Sequence, residues 1–172
     1  MSPAEFASYR WRTVLGASLT VGLPRGQYDA TKVINLGANR WSIKPELGLS
    51  HTKGRWVAEL MTGVWIFTDN TDFAGGRTRE QDPIFSNQIH FTYRFTPRIW
   101  LAADANYYVG GQTTVAGVGN LDLQRNSRIG STFSWAIDRH HSVRAAASVG
   151  AQTTIGADFT SIALGYNYAW GR

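Results

Sequence analysis

The sequence predicts an all-β protein, an antiparallel up-and-down transmembrane β-barrel with about eight strands in one domain over residues 1–172. Three observations predict it. Apolar and polar residues alternate almost without error in four stretches of the eight strands that can be drawn, short and long connections alternate between the strands, and outward aromatic residues gather at the strand ends. Alternation is clearest from Trp41 to Ser50. There Trp41, Ile43, Pro45, Leu47 and Leu49 share one face, and Ser42, Lys44, Glu46, Gly48 and Ser50 share the other. Successive side chains of a strand point to opposite sides of the sheet, so the segment has one apolar and one polar face. Repeated around a closed sheet with the apolar face outward, this is the pattern of a barrel in lipid.

The first strand is expected over Tyr9–Leu23, with Trp11, Leu15, Leu19 and Val21 outward and Arg12, Gly16, Ser18 and Thr20 inward. After a loop over 24–40 and strand two at Trp41–Ser50, strand three follows at Arg55–Thr68. It presents Trp56, Ala58, Leu60, Val64 and Ile66 outward, with Glu59, Gly63 and Trp65 inward. A polar loop over 69–83 leads to strand four at Ile84–Phe95, with Phe85, Ile89, Phe91 and Tyr93 outward and Ser86, Gln88, His90 and Arg94 inward. Strand five, Ile99–Tyr108, places Trp100, Asp104 and Asn106 inward, and a Gly-rich loop runs to residue 124. Strands six (Arg125–Ile137), seven (Ser142–Ala151) and eight (Phe159–Trp170) complete the set. Pro45 in mid-strand lacks an N–H and predicts a bulge or local break.

Short turns fall near 51–54, 96–98 and 138–141, and longer loops at 24–40, 69–83, 109–124 and 152–158. Bacterial barrels carry short periplasmic turns and longer external loops, and this rhythm returns both ends to the periplasmic side. Trp11, Trp56, Tyr93, Trp135, Tyr168 and Trp170 then ring the periplasmic rim, and Trp41 lies near the other. Their rings, apolar with one polar atom, suit the headgroup zone.

Composition agrees. Hydrophobic residues are 43% of the chain, and mean hydropathy is −0.24. No run reaches the roughly 18 apolar residues of a membrane helix. Cysteine is absent, which excludes disulfides and thiolate metal sites. A net charge of +5, scattered rather than striped, gives no footing for nucleic acid. Residues 1–10 hold no basic segment followed by an apolar one, so no signal peptide is expected in this chain. A soluble barrel with its apolar face inward, holding a hydrophobic ligand, is the alternative the alternation leaves open.

Joined motifs add a resemblance. Gly26-Gln27-Tyr28-Asp29, Ile34-Asn35-Leu36-Gly37 and Asn39-Arg40-Trp41 are followed by Lys44-Pro45-Glu46-Leu47-Gly48 and Phe67-Thr68-Asp69-Asn70. Gly75-Gly76-Arg77-Thr78-Arg79-Glu80-Gln81-Asp82-Pro83 and Leu123-Gln124-Arg125-Asn126 continue the series. From about Glu5 to Gly171 the chain resembles the family named for the meta-pathway of phenol degradation, described as outer-membrane transporters of Gram-negative bacteria. The resemblance implies passage of small, often aromatic or hydrophobic compounds, and supplies no catalytic residues. Family members are longer, so it also implies that this chain corresponds to the C-terminal two-thirds of a barrel of about a dozen strands.

Lys44, Glu46, Glu59, His90, Arg94, Asp104, Arg128 and Arg144 are the expected lumen residues. Mixed charges there either select solutes or form a salt-bridge network that plugs and braces the barrel. In the loop carrying Asp69, Asn70, Asp72, Arg77, Arg79, Glu80 and Asp82, the sequence is short of a calcium-loop pattern, and both arginines are expected to pair with Glu80 and Asp82. His140-His141 reads as a surface turn. Ser86 and His90 are four residues apart on one strand, roughly 13 Å, too far for a nucleophile–base pair. No enzyme activity, metal or cofactor is expected. Membrane lipid and a small organic solute are the expected partners, and the pattern does not fix the oligomeric state.

Overall fold

The computed structural model describes residues 12–156 and 158–170. In chain order its strands are β1 (Thr13–Gly22), β2 (Ser42–Lys53), β3 (Trp56–Phe67), β4 (Asn70–Phe73), β5 (Arg77–Gln81), β6 (Ile84–Arg94), β7 (Ile99–Gly110), β8 (Thr113–Val115), β9 (Val118–Gly119), β10 (Gln124–Ala136), β11 (His141–Gln152) and β12 (Ser161–Tyr168). Eight of them form one antiparallel sheet in the order β1-β2-β3-β6-β7-β10-β11-β12, the eight strands and the up-and-down order expected from the sequence. The described part of strand one begins at Thr13, so Trp11 lies outside the described residues.

Register turns the alternation into two continuous surfaces. At one level Leu15, Leu49, Leu60, Ile89, Ala105, Ile129 and Val149 are direct cross-strand partners from β1 to β11. One residue along, on the opposite face, Ser50, Glu59, His90, Asp104, Gly130, Ser148 and Ser161 are partners from β2 to β12. A one-residue slip in any pair would mix the two surfaces, so the alternation itself selects this register. The apolar surface is the open one. Leu15, Leu47, Phe85, Phe91, Ile129 and Leu164 are all exposed, whereas Lys44, Ser86 and Ser134 on the polar face are buried. That is the reverse of a water-soluble barrel, which buries its apolar face.

The sheet ends at β1 and β12, which are not paired with each other, so the described strands form an open sheet where the sequence predicts a closed barrel. Both edge strands are exposed along nearly their whole length, on both faces.

Pro45 does not shift the register. Ile43 pairs with Ile66 and Glu46 with Gly63 in one unbroken frame, and only Lys44 and Pro45 lack partners on β3. The break is tolerated because Gly63 sits opposite. A Cβ there would lie 2.9 Å from the Pro45 carbonyl oxygen and 3.0 Å from Lys44 Cε. At the short-turn end β2 runs on to Lys53, and Gly54, with φ of 61°, makes the turn to β3.

The two polar loops hold structure that the sequence does not predict. Residues 69–83 and 109–124 fold into β4, β5, β8 and β9, a second, four-stranded sheet that caps the long-loop end.

Candidate functional site

The polar face is built from register up. Because Glu59, His90 and Asp104 are successive cross-strand partners on β3, β6 and β7, three titratable side chains meet at one level. His90 Nδ1 lies 2.5 Å from an Asp104 carboxylate oxygen, while His90 Nε2 is buried with no partner. One level toward the cap, Gln88, Asn106 and Arg128 are partners, and the Asn106 side-chain oxygen is likewise buried and unpartnered. Arg128 donates to Ser148 Oγ at 3.0 Å and to the Phe159 carbonyl at 2.9 Å, and lies over the Phe159 ring at 4.0 Å. Gln88, His90, Asp104, Asn106 and Arg128 line one hollow of about 340 Å³ together with Gly130.

Lys44 and Glu46, two apart on β2 and thus on the same face, form an ion pair. Lys44 also faces the Trp65 ring at 5.7 Å. Arg144 lies 5.6 Å from the Trp100 ring centre, which puts Trp100 and Trp65 on the polar face, as the alternation predicts. Arg144 and Arg94 are exposed. The structure thus brings His90, Asp104 and Arg128 together, pairs Lys44 with Glu46, and leaves Glu59, Arg94 and Arg144 in no ion pair among the described residues. A charge network plugging this face would require such pairs. Ser86 donates to the Gly63 carbonyl, not to His90.

At the cap, Asn70 is 2% exposed and organises its surroundings. Its amide donates to Tyr28 Oη at 2.8 Å, and its oxygen accepts from Asn39 and from the Asp72 backbone. The expected pairing of Arg77 and Arg79 with Glu80 and Asp82 is not formed. In a strand, neighbours i and i+1 point to opposite faces. Arg77 instead donates to the Ala74 carbonyl at 3.1 Å, and Arg79 lies over the Phe73 ring at 5.2 Å. Glu80 faces Thr114 across β5 and β8, and Asp69, Asp72 and Asp82 are exposed. Arg40, which spacing does not single out, donates to Gln81 and lies over the Phe67 ring at 4.4 Å. Burial, and then Arg79, hold its pKa below the usual arginine value, with Asp69 opposing.

The aromatic rim is a contact network. Trp56 and Tyr93 are ring neighbours at 4.6 Å, Tyr93 and Phe95 at 5.0 Å, and Tyr168 and Trp170 at 6.3 Å. Trp135 and, at the opposite end, Trp41 are exposed on the apolar face. The two turn histidines diverge: His140 Nδ1 meets the Ala169 carbonyl and His141 Nδ1 meets Tyr166 Oη.

An open, lipid-suited face backed by a polar face of mixed charge is the arrangement of an outer-membrane strand wall. The family model described as "Putative MetA-pathway of phenol degradation" matches residues 7–170, and the chain belongs to that family. Its structure is similar to the COG4313 outer membrane channel from Pseudomonas putida F1, with a TM-score of 0.78 and 23% identity. The match covers 91% of this chain and 59% of that one, so the chain spans under two-thirds of the channel's length. No curated protein matches the sequence significantly. The family is the one that the motifs resemble, and the fold is shared with that channel.

Proposed function

We propose that this chain forms wall and lumen of an outer-membrane channel that passes small organic solutes. The observation that carries it is the pair of opposed surfaces: an exposed apolar level through Leu60 and Ile89, and a polar level through Glu59, His90 and Asp104 one residue away. Only a wall with lipid on one side and water on the other satisfies both. The long-loop end faces outward, and the solute meets loops 24–40, 69–83 and 109–124 first. His90, Asp104 and Arg128, with Lys44, Glu46, Glu59, Arg94 and Arg144, set which solutes pass. Glu59, Arg94, Arg128 and Arg144 are in no ion pair among the described residues, which supports a water-filled lumen over a plugged one.

Unpaired backbone groups are not tolerated in hydrocarbon, so the edges of β1 and β12 are paired in the membrane and the sheet is closed there. Heat-modifiable gel migration of the refolded chain tests closure. Planar-bilayer conductance tests passage, and Arg128→Gln should shift ion selectivity toward cations. A folded, heat-modifiable protein without conductance would leave a purely structural barrel and overturn the channel reading.

A further inference from the structure

The cap holds a second feature that solute passage does not use. Arg40, at the entry to β2, and Arg79, on β5, line a cavity of about 180 Å³ together with Asn70, Val33, Leu36 and Phe73. Neither arginine is in an ion pair; among the described residues the three ion pairs are Lys32–Asp29, Lys44–Glu46 and His90–Asp104. Arg40 spends Nη2 on Gln81, a neutral acceptor, and its Nη1 is buried with no acceptor at all. Arg79 has its guanidinium against the Phe73 ring.

A guanidinium out of water is costly unless it is paired and hydrogen-bonded. Here two of them border one cavity, and each raises the cost of the other. Burial and Arg79 together depress the Arg40 pKa, and Asp69 offsets this only in part. An anion would supply the missing acceptor and relieve the repulsion at once. Guanidinium forks match carboxylate and phosphate oxygens, so both belong to the chemistry this pair would recognise. The remaining walls discriminate. Val33 and Leu36 are largely exposed, and Val33, Leu36 and Phe73 give the cavity a hydrocarbon side that a fully hydrated inorganic ion would leave bare.

We propose that the Arg40–Arg79 cavity in the cap binds a small organic carboxylate, its oxygens on the two guanidinium groups and its hydrocarbon part against Val33, Leu36 and Phe73. This site is independent of whether the lumen conducts, because all its residues belong to the cap or to the segments entering it.

The test is calorimetric titration of the full chain, refolded in a zwitterionic detergent, with benzoate, benzyl alcohol and inorganic phosphate. Benzoate is expected to bind saturably and more tightly than either other probe. Arg40→Gln and Arg79→Gln are each expected to weaken it about tenfold or more, the scale of a charge-assisted bidentate contact. Arg139→Gln removes the same charge from the opposite end and should leave benzoate binding unchanged. Far-UV circular dichroism checks that each variant is folded, and if Arg40→Gln fails, Arg79→Gln decides. Any of four results would overturn the proposal: no saturable benzoate binding, equal binding of benzyl alcohol, phosphate binding at least as tight (a site for a free or headgroup phosphate), or equal loss in Arg139→Gln.

Discussion

Leu60 in the wall and Asn70 in the cap are fixed by different physics. Leu60 is held by register: it faces Leu49 on one side and Ile89 on the other, and its side chain stays exposed. Asn70 is buried and held by named hydrogen bonds to Tyr28, Asn39 and the Asp72 backbone. The wall is thus a periodic object whose stability depends on the solvent against its outer face. The cap is an aperiodic one whose stability depends on a few polar contacts. The difference shows that exposure alone says nothing about tolerance to charge. Ile89 in the wall and Leu121 in the cap are both exposed, but only the first is expected to meet lipid.

The sharpest way to break that contrast is to put the same charge at both places. Ile89→Arg is expected to cost about 2–4 kcal/mol, the cost of a cation at the hydrocarbon midplane of a barrel. Leu121→Arg should stay within about 0.5 kcal/mol, as surface substitutions do in water. Urea unfolding in lipid vesicles, followed by tryptophan fluorescence, measures both. If Ile89→Arg proved as mild as Leu121→Arg, the apolar face would not be the lipid face.

Removing the organiser of the cap comes next. Asn70→Ala removes the acceptor of the half-buried Asn39 amide and the donor to the Tyr28 hydroxyl, which keeps its bond to the Asp72 carbonyl, at an expected cost of about 1–3 kcal/mol. The loss should stay local. Proteolysis within 24–40 should accelerate while the far-UV signal of the wall persists. Simultaneous loss of both would mean that cap and wall unfold as one unit, against the contrast drawn above.

The same contrast explains what the sequence could reveal. Strand order and the facing of Lys44, Trp65, His90 and Asp104 were legible because a period of two needs only local information. The contact between His90 and Asp104 was not, because it depends on the register between β6 and β7, which a face assignment does not supply. Pro45 shows the limit of a local rule. The missing N–H was visible, but the answer to it, a glycine on the next strand, emerges only once Gly63 is placed opposite. The cap shows only as loop in the sequence because β4, β5, β8 and β9 are two to five residues long and too short to show a period. Arg40 stands in the sequence only as part of a motif, because its contacts with Gln81, Phe67 and Arg79 join residues distant along the chain.

The smallest effect separates two carboxylates that behave alike on the surface. Asp29 in the cap loop accepts from the Thr31 hydroxyl and backbone N–H, and pairs with Lys32 at 3.2 Å. Asp138, in the turn between β10 and β11, accepts the backbone N–H groups of His140 at 2.7 Å and His141 at 2.8 Å. These bonds favour the ionised forms, so both pKa values lie below the ordinary 3.8, led by the Thr31 hydroxyl for Asp29 and by the His140 amide for Asp138. A depressed folded pKa means that each contribution to stability is complete above the ordinary value and is lost as pH falls through the lower, folded one. Both turns should therefore loosen together in acid, seen as rising hydrogen exchange at the amides of Thr31 and His141. Salt distinguishes them. The Lys32 charge on Asp29 is exposed and screened, whereas neutral amides are not, so raising salt from about 0.05 to 0.5 M should lift the Asp29 pKa more than that of Asp138. Carboxyl-carbon NMR titration reads both in one sample. An equal lift at Asp138 would assign its shift to the charge of His140 and His141, and the turn would then weaken on neutralising the histidines as well as on protonating the aspartate.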